Sequence, residues 1–223
     1  MNGIAVKTTQ FRGFLAGATD FWPADRTMTA TMRLARATPE DLPVILGLIE
    51  EAAAWLRCSK NTSQWSKPWP NEEQRNARVL KGLLGGKTWI VWDEATPAAT
   101  ITVAKQANTA VWPESVYELS EPAVYVHRLI TARPYAGWGL GADLIDWAGC
   151  RAAEQYRAQW IRVDVWTSNT ALHEYYRKRG FEFAGFCPNP EYPSGALFEK
   201  PVSAIEERTT PPLWQPPDNA WLN

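Results

Sequence analysis

The stretch AVYVHRLITARPYAGWGLGADLIDWAG, residues 123–149, constrains the fold more than any other part of this chain. The run Ala123 to Thr131 reads as a strand. Pro134 and the glycines Gly137, Gly139 and Gly141 then interrupt it, and a helical pattern opens at once. Another apolar run, WIRVDVW at 160–166, follows that helix. Strand, helix, strand over this length is a crossover between parallel neighbours. The turn Gly137-Trp138-Gly139-Leu140-Gly141-Ala142 also puts small residues where the chain leaves the sheet. N–H groups at a helix start lack internal partners, and missing side chains let an oxygen come close, so such a turn suits a phosphate. A sharp turn that merely needs glycine accounts for the same residues.

The remaining elements follow from the same patterns. MRLARA (32–37) is a short strand, and Thr38 caps a helix running through LPVILGLIEEAAAWL. After the loop RCSKNTSQWSKPWP comes a helix over 71–84, closed by Gly85 and Gly86. KTWIVWD and TPAATITVAK pair as a hairpin, and a long linker, 106–122, leads to the strand at 123–131. Beyond 166, TALHEYYRKRG is a helix, and FEFAGF and SGALFEKPV are strands. The order βααβββαβαββ predicts an α/β (α+β) sandwich around a mixed, largely antiparallel sheet with one parallel crossover. Residues 1–31 show no sustained period and form an N-terminal extension. The tail 201–223, with its PP pairs and isolated tryptophans, is either a strap docking Trp214 or Trp221 on its own domain or a partner-binding segment.

At 223 residues and 45% hydrophobic, the chain can bury a core of ordinary size. Its formal charge of −1, with both signs interspersed, offers no basic face and disfavours nucleic acid as a partner. Cys58, Cys150 and Cys187 are widely spaced, without a CxxC pair, so neither a disulfide framework nor a metal site is expected, and Cys150 reads as packing. No run approaches the roughly 20 apolar residues of a membrane span, which points to a cytoplasmic protein. Tryptophan is in excess, at 13 residues.

A second constellation follows WIRVDVW. It comprises Thr167-Ser168-Asn169, then Tyr176 seven residues beyond Asn169, then Gly180-Phe181 where the helix stops. With the glycine turn, this resembles the GNAT superfamily of acetyl-CoA-dependent N-acetyltransferases. The resemblance spans 32–200 and is carried by RLITARPYAGWGLGADLIDWA and RVDVWTSNTALHEYYRKRGFEFAG. It implies the GNAT sheet with helices on both faces. It also implies direct acetyl transfer from acetyl-CoA to a primary amine in a ternary complex, without a metal. By the same resemblance, the backbone of Leu129, Ile130 and Thr131 pairs with the pantetheine arm, and Gly137, Trp138, Gly139, Leu140, Gly141 and Ala142 hold the pyrophosphate. Asn169 contacts the cofactor, and Tyr176 protonates the departing thiolate. Ala136 stands where the family has arginine or glutamine, which removes one side-chain contact and leaves the backbone cradle.

Each of these residues has a plainer role open to it. Tyr176 fits a core position and Asn169 a helix cap. The tetrahedral oxyanion needs a donor, for which the N–H of Leu129 is the candidate, and the attacking amine needs a base. Asp164 lies on the face of its strand with Arg162 and Trp166, and is either that base or the ion-pair partner of Arg162. His127, with an unperturbed pKa near ~6.5, is the rival base or a half-buried structural histidine. His173 reads as a surface residue. The acceptor wall is expected from the 58–70 loop, the linker and the 188–196 loop. Trp55, Trp65, Trp69 and Trp112 would form an aromatic pocket there, and Glu114, Glu118, Glu121 and Glu191 could attract a cationic amine. Two other classes stand beside this one. GWGLGA also satisfies a dinucleotide-binding fingerprint, with Asp164 on a ribose of NAD, and a catalytically silent CoA-binding module would share the cradle. Pairing with a second copy of the chain is left open.

Overall fold

The computed structural model describes residues 32–60, 62–112 and 121–205, with the backbone of 214–215. The elements are β1 (Met32–Arg36), α1 (Leu42–Ser59), α2 (Glu72–Leu84), β2 (Thr88–Asp93), β3 (Thr96–Ala104), β4 (Ala123–Thr131), α3 (Leu140–Tyr156), β5 (Trp160–Val165), α4 (Thr170–Arg177), β6 (Glu182–Phe186), β7 (Ala196–Pro201) and β8 (Trp214–Gln215). Local chemistry sets the helix starts. The Thr38 N–H donates to Asp41 Oδ2 at 2.8 Å just ahead of α1, and the Asn71 side chain caps α2 by accepting from the Gln74 N–H at 2.9 Å.

The strands form one sheet in the order β6-β7-β5-β4-β3-β2-β1-β8. Every neighbouring pair is antiparallel except β4–β5, joined through α3, and the two-residue pairing of β8 along β1. The tail thus meets the domain through backbone pairing at the β1 edge. Trp221 and residues 1–31 lie outside the described residues. Alternation along β2 separates the two helical layers. Thr88 faces α2, where it lies against Gly82, while Trp89 turns to α3 and packs edge-on against Trp147 at 5.3 Å between ring centroids. Trp89, Ile90, Ile101, Leu144, Ile145 and Ile161 are fully buried, and each contributes about 2–3 kcal/mol by leaving water.

One irregularity in the sheet matters most. Between the pairs Thr102↔His127 and Thr100↔Ile130, β4 holds one residue more than β3, and Arg128 carries the bulge at φ 48°. The β4–β5 ladder ends next to it, at Val126↔Val163. Beyond that point Ile130 and Thr131 pair only with β3, and Asp164 and Val165 only with β7. One side of β4 is therefore left without a strand partner in mid-sheet.

Candidate active site

Two openings meet where β4 and β5 part. One is a groove walled by Leu129, Ile130, Thr131, Asn169, Leu172 and Tyr175. The other is a cavity of about 450 Å³ whose walls include Trp69, Arg78, His127, Asp164 and Tyr192. Trp65 belongs to both walls.

The glycine turn lies against the groove. Gly137 and Gly139 both adopt φ +84°, a left-handed backbone that explains the residue type at each. The Ala142 N–H is spent on the Gly139 carbonyl at 2.9 Å and that of Trp138 on the Tyr135 carbonyl at 3.2 Å. The N–H groups of Gly137, Gly139, Leu140 and Gly141 donate to no group among the described residues, so four of the six expected cradle positions present free donors. Trp138 is 38% exposed and meets Tyr135 edge-on, turned to the surface. A Cβ at Gly141 would sit 3.2 Å from the Tyr175 hydroxyl and 3.7 Å from Thr131 Oγ1. Gly141→Val is therefore expected to weaken acetyl-CoA binding at least about 10-fold, read by calorimetry, with the fold retained.

The two rival bases are neighbours. His127 Nδ1 lies 3.1 Å from Asp164 Oδ1, and the Tyr192 hydroxyl donates to Asp164 Oδ2 at 3.0 Å. The Asp164 side chain is 8% exposed and that of His127 25%. Register explains the contact, since His127 and Asp164 each stand one place beyond the last β4–β5 pair, Val126↔Val163. The alternative of an Arg162–Asp164 ion pair is overturned. Arg162 is instead held by the residues directly opposite it on both sides, Glu199 at 3.0 Å and the Tyr125 hydroxyl at 3.2 Å. Burial, followed by the charge of Asp164, pushes the Tyr192 phenol upward, so it stays a donor to the carboxylate.

Asn169 caps α4 by accepting from the Leu172 N–H at 3.0 Å, and its amide also donates to Gln64 while its side chain walls the groove. Tyr176 is buried, stacked near Phe198 and edge-on to Phe181 at 5.2 Å, and it walls neither opening. Its hydroxyl makes no hydrogen bond among the described residues. Burial raises its phenol well above the ordinary range, and Asp164 adds to the effect. Tyr175, which the sequence passed over, is the groove residue. His173 corrects another expectation. It is buried, with Nε2 3.0 Å from the Trp166 carbonyl and its ring against Phe198, because its position on α4 faces the sheet. Cys150, expected to pack, is exposed.

Among the described residues the cavity wall is aromatic, and Asp164 is its one carboxylate. Trp65 and Trp69 line the cavity, and Tyr192 meets Trp69 edge-on at 5.1 Å. Trp55 lies on the groove side, and Trp112 is buried in a separate cluster with Tyr125 and Leu197. Glu121 receives the Trp160 indole N–H, Glu191 is exposed away from the cavity walls, and Glu114 and Glu118 lie outside the described residues. The faces of two tryptophans already carry the chain's own cations, Arg78 over Trp69 at 5.3 Å and Arg133 over Trp55 at 4.0 Å. Among the described residues no group of three or more His, Cys, Asp or Glu side chains is arranged to hold a metal ion, and no helix is long and apolar enough to cross a membrane.

The comparisons agree with this geometry. The model of the acetyltransferase (GNAT) family matches residues 49–181. The chain is 30% identical over 173 residues to an uncharacterized N-acetyltransferase, YesJ, of Bacillus subtilis (strain 168), covering 75% of this chain and 89% of that protein. Its fold is shared by a GNAT acetyltransferase of Listeria monocytogenes, with 24% identity, TM-score 0.59, and coverage of 76% of this chain and 94% of that one. It is shared too by the PaiA N-acetyltransferase of Thermoplasma acidophilum, solved in complex with coenzyme A, with 15% identity, TM-score 0.56, and coverage of 76% and 98%. A dinucleotide-binding oxidoreductase would need a series of parallel βα units, whereas only one crossover feeds the glycine turn here. With the family's model matched over more than half of its length, the chain belongs to the GNAT family of acetyltransferases, which carries with it acetyl-CoA-dependent acetyl transfer.

Proposed function

We propose that the protein transfers acetyl from acetyl-CoA to a primary amine held in the cavity, with His127 as the base, Asp164 as the residue that positions it and Tyr176 as the proton donor to sulfur. The observation that carries this is the end of the β4–β5 ladder at Val126↔Val163, which puts an unpaired stretch of β4 between the groove and the His127–Asp164 contact. The backbone of Leu129, Ile130 and Thr131 there can pair with the pantetheine amides as another strand would. The free N–H groups of Gly139, Leu140 and Gly141 suit the pyrophosphate, and Arg133 and Lys60, at the groove wall, add positive charge for the phosphates.

An ammonium group entering the cavity must lose a proton before it can attack. His127 Nε2 has no partner among the described residues, and Asp164 holds Nδ1, which favours the tautomer with Nε2 as acceptor. The resulting imidazolium is stabilised by the adjacent carboxylate. The free amine then attacks the thioester carbonyl. The Leu129 N–H stabilises the oxyanion, and the nitrogen of the tetrahedral intermediate gives up its second proton to water. The intermediate then expels the thiolate, which takes the Tyr176 proton, the phenolate being reprotonated from solvent. Burial keeps this phenol protonated throughout the physiological range, so its proton is present for that last step, and the same shift makes it a weaker acid than a free tyrosine.

The test is a panel of primary amines with acetyl-CoA, monitored by release of the CoA thiol. Turnover with at least one amine is expected. Acetyl-CoA binding without thiol release from any amine would instead indicate a silent CoA-binding module. Trp69→Ala should raise the acceptor KM about 10-fold and leave acetyl-CoA binding unchanged, because Trp69 walls only the cavity. Trp65→Ala should affect both ligands.

A further inference from the structure

The cavity is charged in one sense. Among the described residues Asp164 is the only carboxylate in its wall, and it is already engaged by His127 and Tyr192. Four cationic side chains, Lys67, Arg75, Arg78 and Arg128, face that one anion. Arg75 is neutralised by Glu50 and Glu72. Arg78 lays its guanidinium on Trp69 and donates to the Trp69 carbonyl, but it has no ion pair among the described residues. Arg128, on the β4 bulge beside His127, has none either, and its Nε is buried without a hydrogen-bond partner. Burial, with the charge of Arg78 adding to it, depresses Arg128 to about 10. Buried guanidinium groups are ordinarily matched by a carboxylate or a phosphate. Asp164 offsets part of the Arg128 charge through space, but among the described residues no carboxylate pairs with either Arg78 or Arg128, and both line the cavity.

We propose that the acceptor is a free amino acid, its carboxylate bound by Arg128 and Arg78, its apolar side chain against Trp65 and Trp69, and its amine presented to His127. The inference rests on the acetyl-transfer function proposed above. A planar carboxylate matches the guanidinium fork, and the Trp65 and Trp69 rings in the cavity wall offer apolar surface to the body of the acceptor. A purely cationic amine would meet Arg78 and Arg128 with like charge and would have to displace Arg78 from the Trp69 face.

The experiment compares, across the proteinogenic amino acids, each free acid with its carboxamide and its decarboxylated amine, for example L-phenylalanine, L-phenylalaninamide and phenethylamine. Thiol release is measured with acetyl-CoA, and binding of the same compounds is measured by calorimetry in the presence of CoA. The free acid should be preferred about 10- to 100-fold in kcat/KM, the range expected for a charge-assisted contact. Arg128→Met and the exposed Arg78→Gln should each erase most of that preference through the acceptor KM with the acetyl-CoA KM unchanged, and Arg128→Lys should restore part of it. Equal or better use of the amide or the plain amine, or variants that raise the acetyl-CoA KM instead, would overturn the proposal. Thiol release without carboxylate preference rejects this inference alone. If no amine releases thiol, the acetyl-transfer reading fails, and calorimetry still decides the anion site, since amino-acid binding weakened by Arg128→Met supports it and unchanged or absent binding rejects it.

Discussion

Replacing His127 by asparagine is expected to lower kcat by about 10²- to 10³-fold while leaving acetyl-CoA affinity within about two-fold of wild type. Asparagine keeps a polar group of similar reach beside Asp164 Oδ1, so the carboxylate is not stranded and the variant should fold. It cannot take a proton from the incoming ammonium. A further readout separates a base from a structural histidine. Activity of the variant should recover in part as pH rises and the free-amine fraction of the acceptor grows, because the amine then arrives already deprotonated. Asp164→Asn should reduce kcat less, about 10-fold, because it removes orientation and imidazolium stabilisation but leaves the base. The double variant should be no worse than His127→Asn alone, since the two residues act as a unit through their 3.1 Å contact. If His127→Asn loses stability and cofactor binding together with activity, the histidine is structural.

Why the sequence showed so much of this is instructive residue by residue. The order of strands and helices was readable because each boundary carries its own chemistry, such as Asn71 and Asn169 as caps and glycine at the two left-handed positions of the turn. The glycine turn was readable for the same reason, since Gly139 needs a positive φ. The bulge was not, because the residue at φ 48° is Arg128, which carries none of glycine's signal. Without the bulge, the meeting of His127 with Asp164 is also invisible. The two lie 37 positions apart, on strands whose pairing stops one residue earlier. Strand alternation placed Arg162 and Asp164 on one face correctly, but it is silent about cross-strand partners, and those decided that Glu199 rather than Asp164 holds Arg162. Tyr192 sits in a proline-rich loop, where no period says which side chain turns inward. The 188–196 loop was expected to wall the acceptor site, but its reach to Asp164 through Tyr192 was not legible.

Adjacent tyrosines on α4 should separate cleanly when each is replaced by phenylalanine. Tyr176→Phe is expected to lower kcat by about 10²-fold with little change in either KM, because it removes only the proton offered to the leaving thiolate. Tyr175→Phe should do the reverse and weaken acetyl-CoA binding several-fold with kcat largely retained, since its hydroxyl stands at the groove against Gly141 and Thr131. The charges around the two phenols differ in this direction. After burial and Tyr175, Asp164 acts on the Tyr176 phenol, whereas Arg179, which acts on both, and Asp146 are the charges acting on Tyr175. A pH signature accompanies the kinetics. Burial raises the Tyr176 phenol above its unfolded value of about 10, so the folded state keeps a proton that the unfolded chain releases. Its contribution is intact below about pH 10 and is lost as pH rises toward the elevated folded value, so wild-type stability should fall in that alkaline window and the Tyr176→Phe variant should fall less steeply. Across neutral pH the phenol stays protonated, so kcat should show no alkaline limb on its account. Full turnover in Tyr176→Phe with loss in Tyr175→Phe would move the proton donor one residue back along the helix. Full turnover in both would leave water as the donor, and equal loss in both would make α4 no more than a wall of the groove.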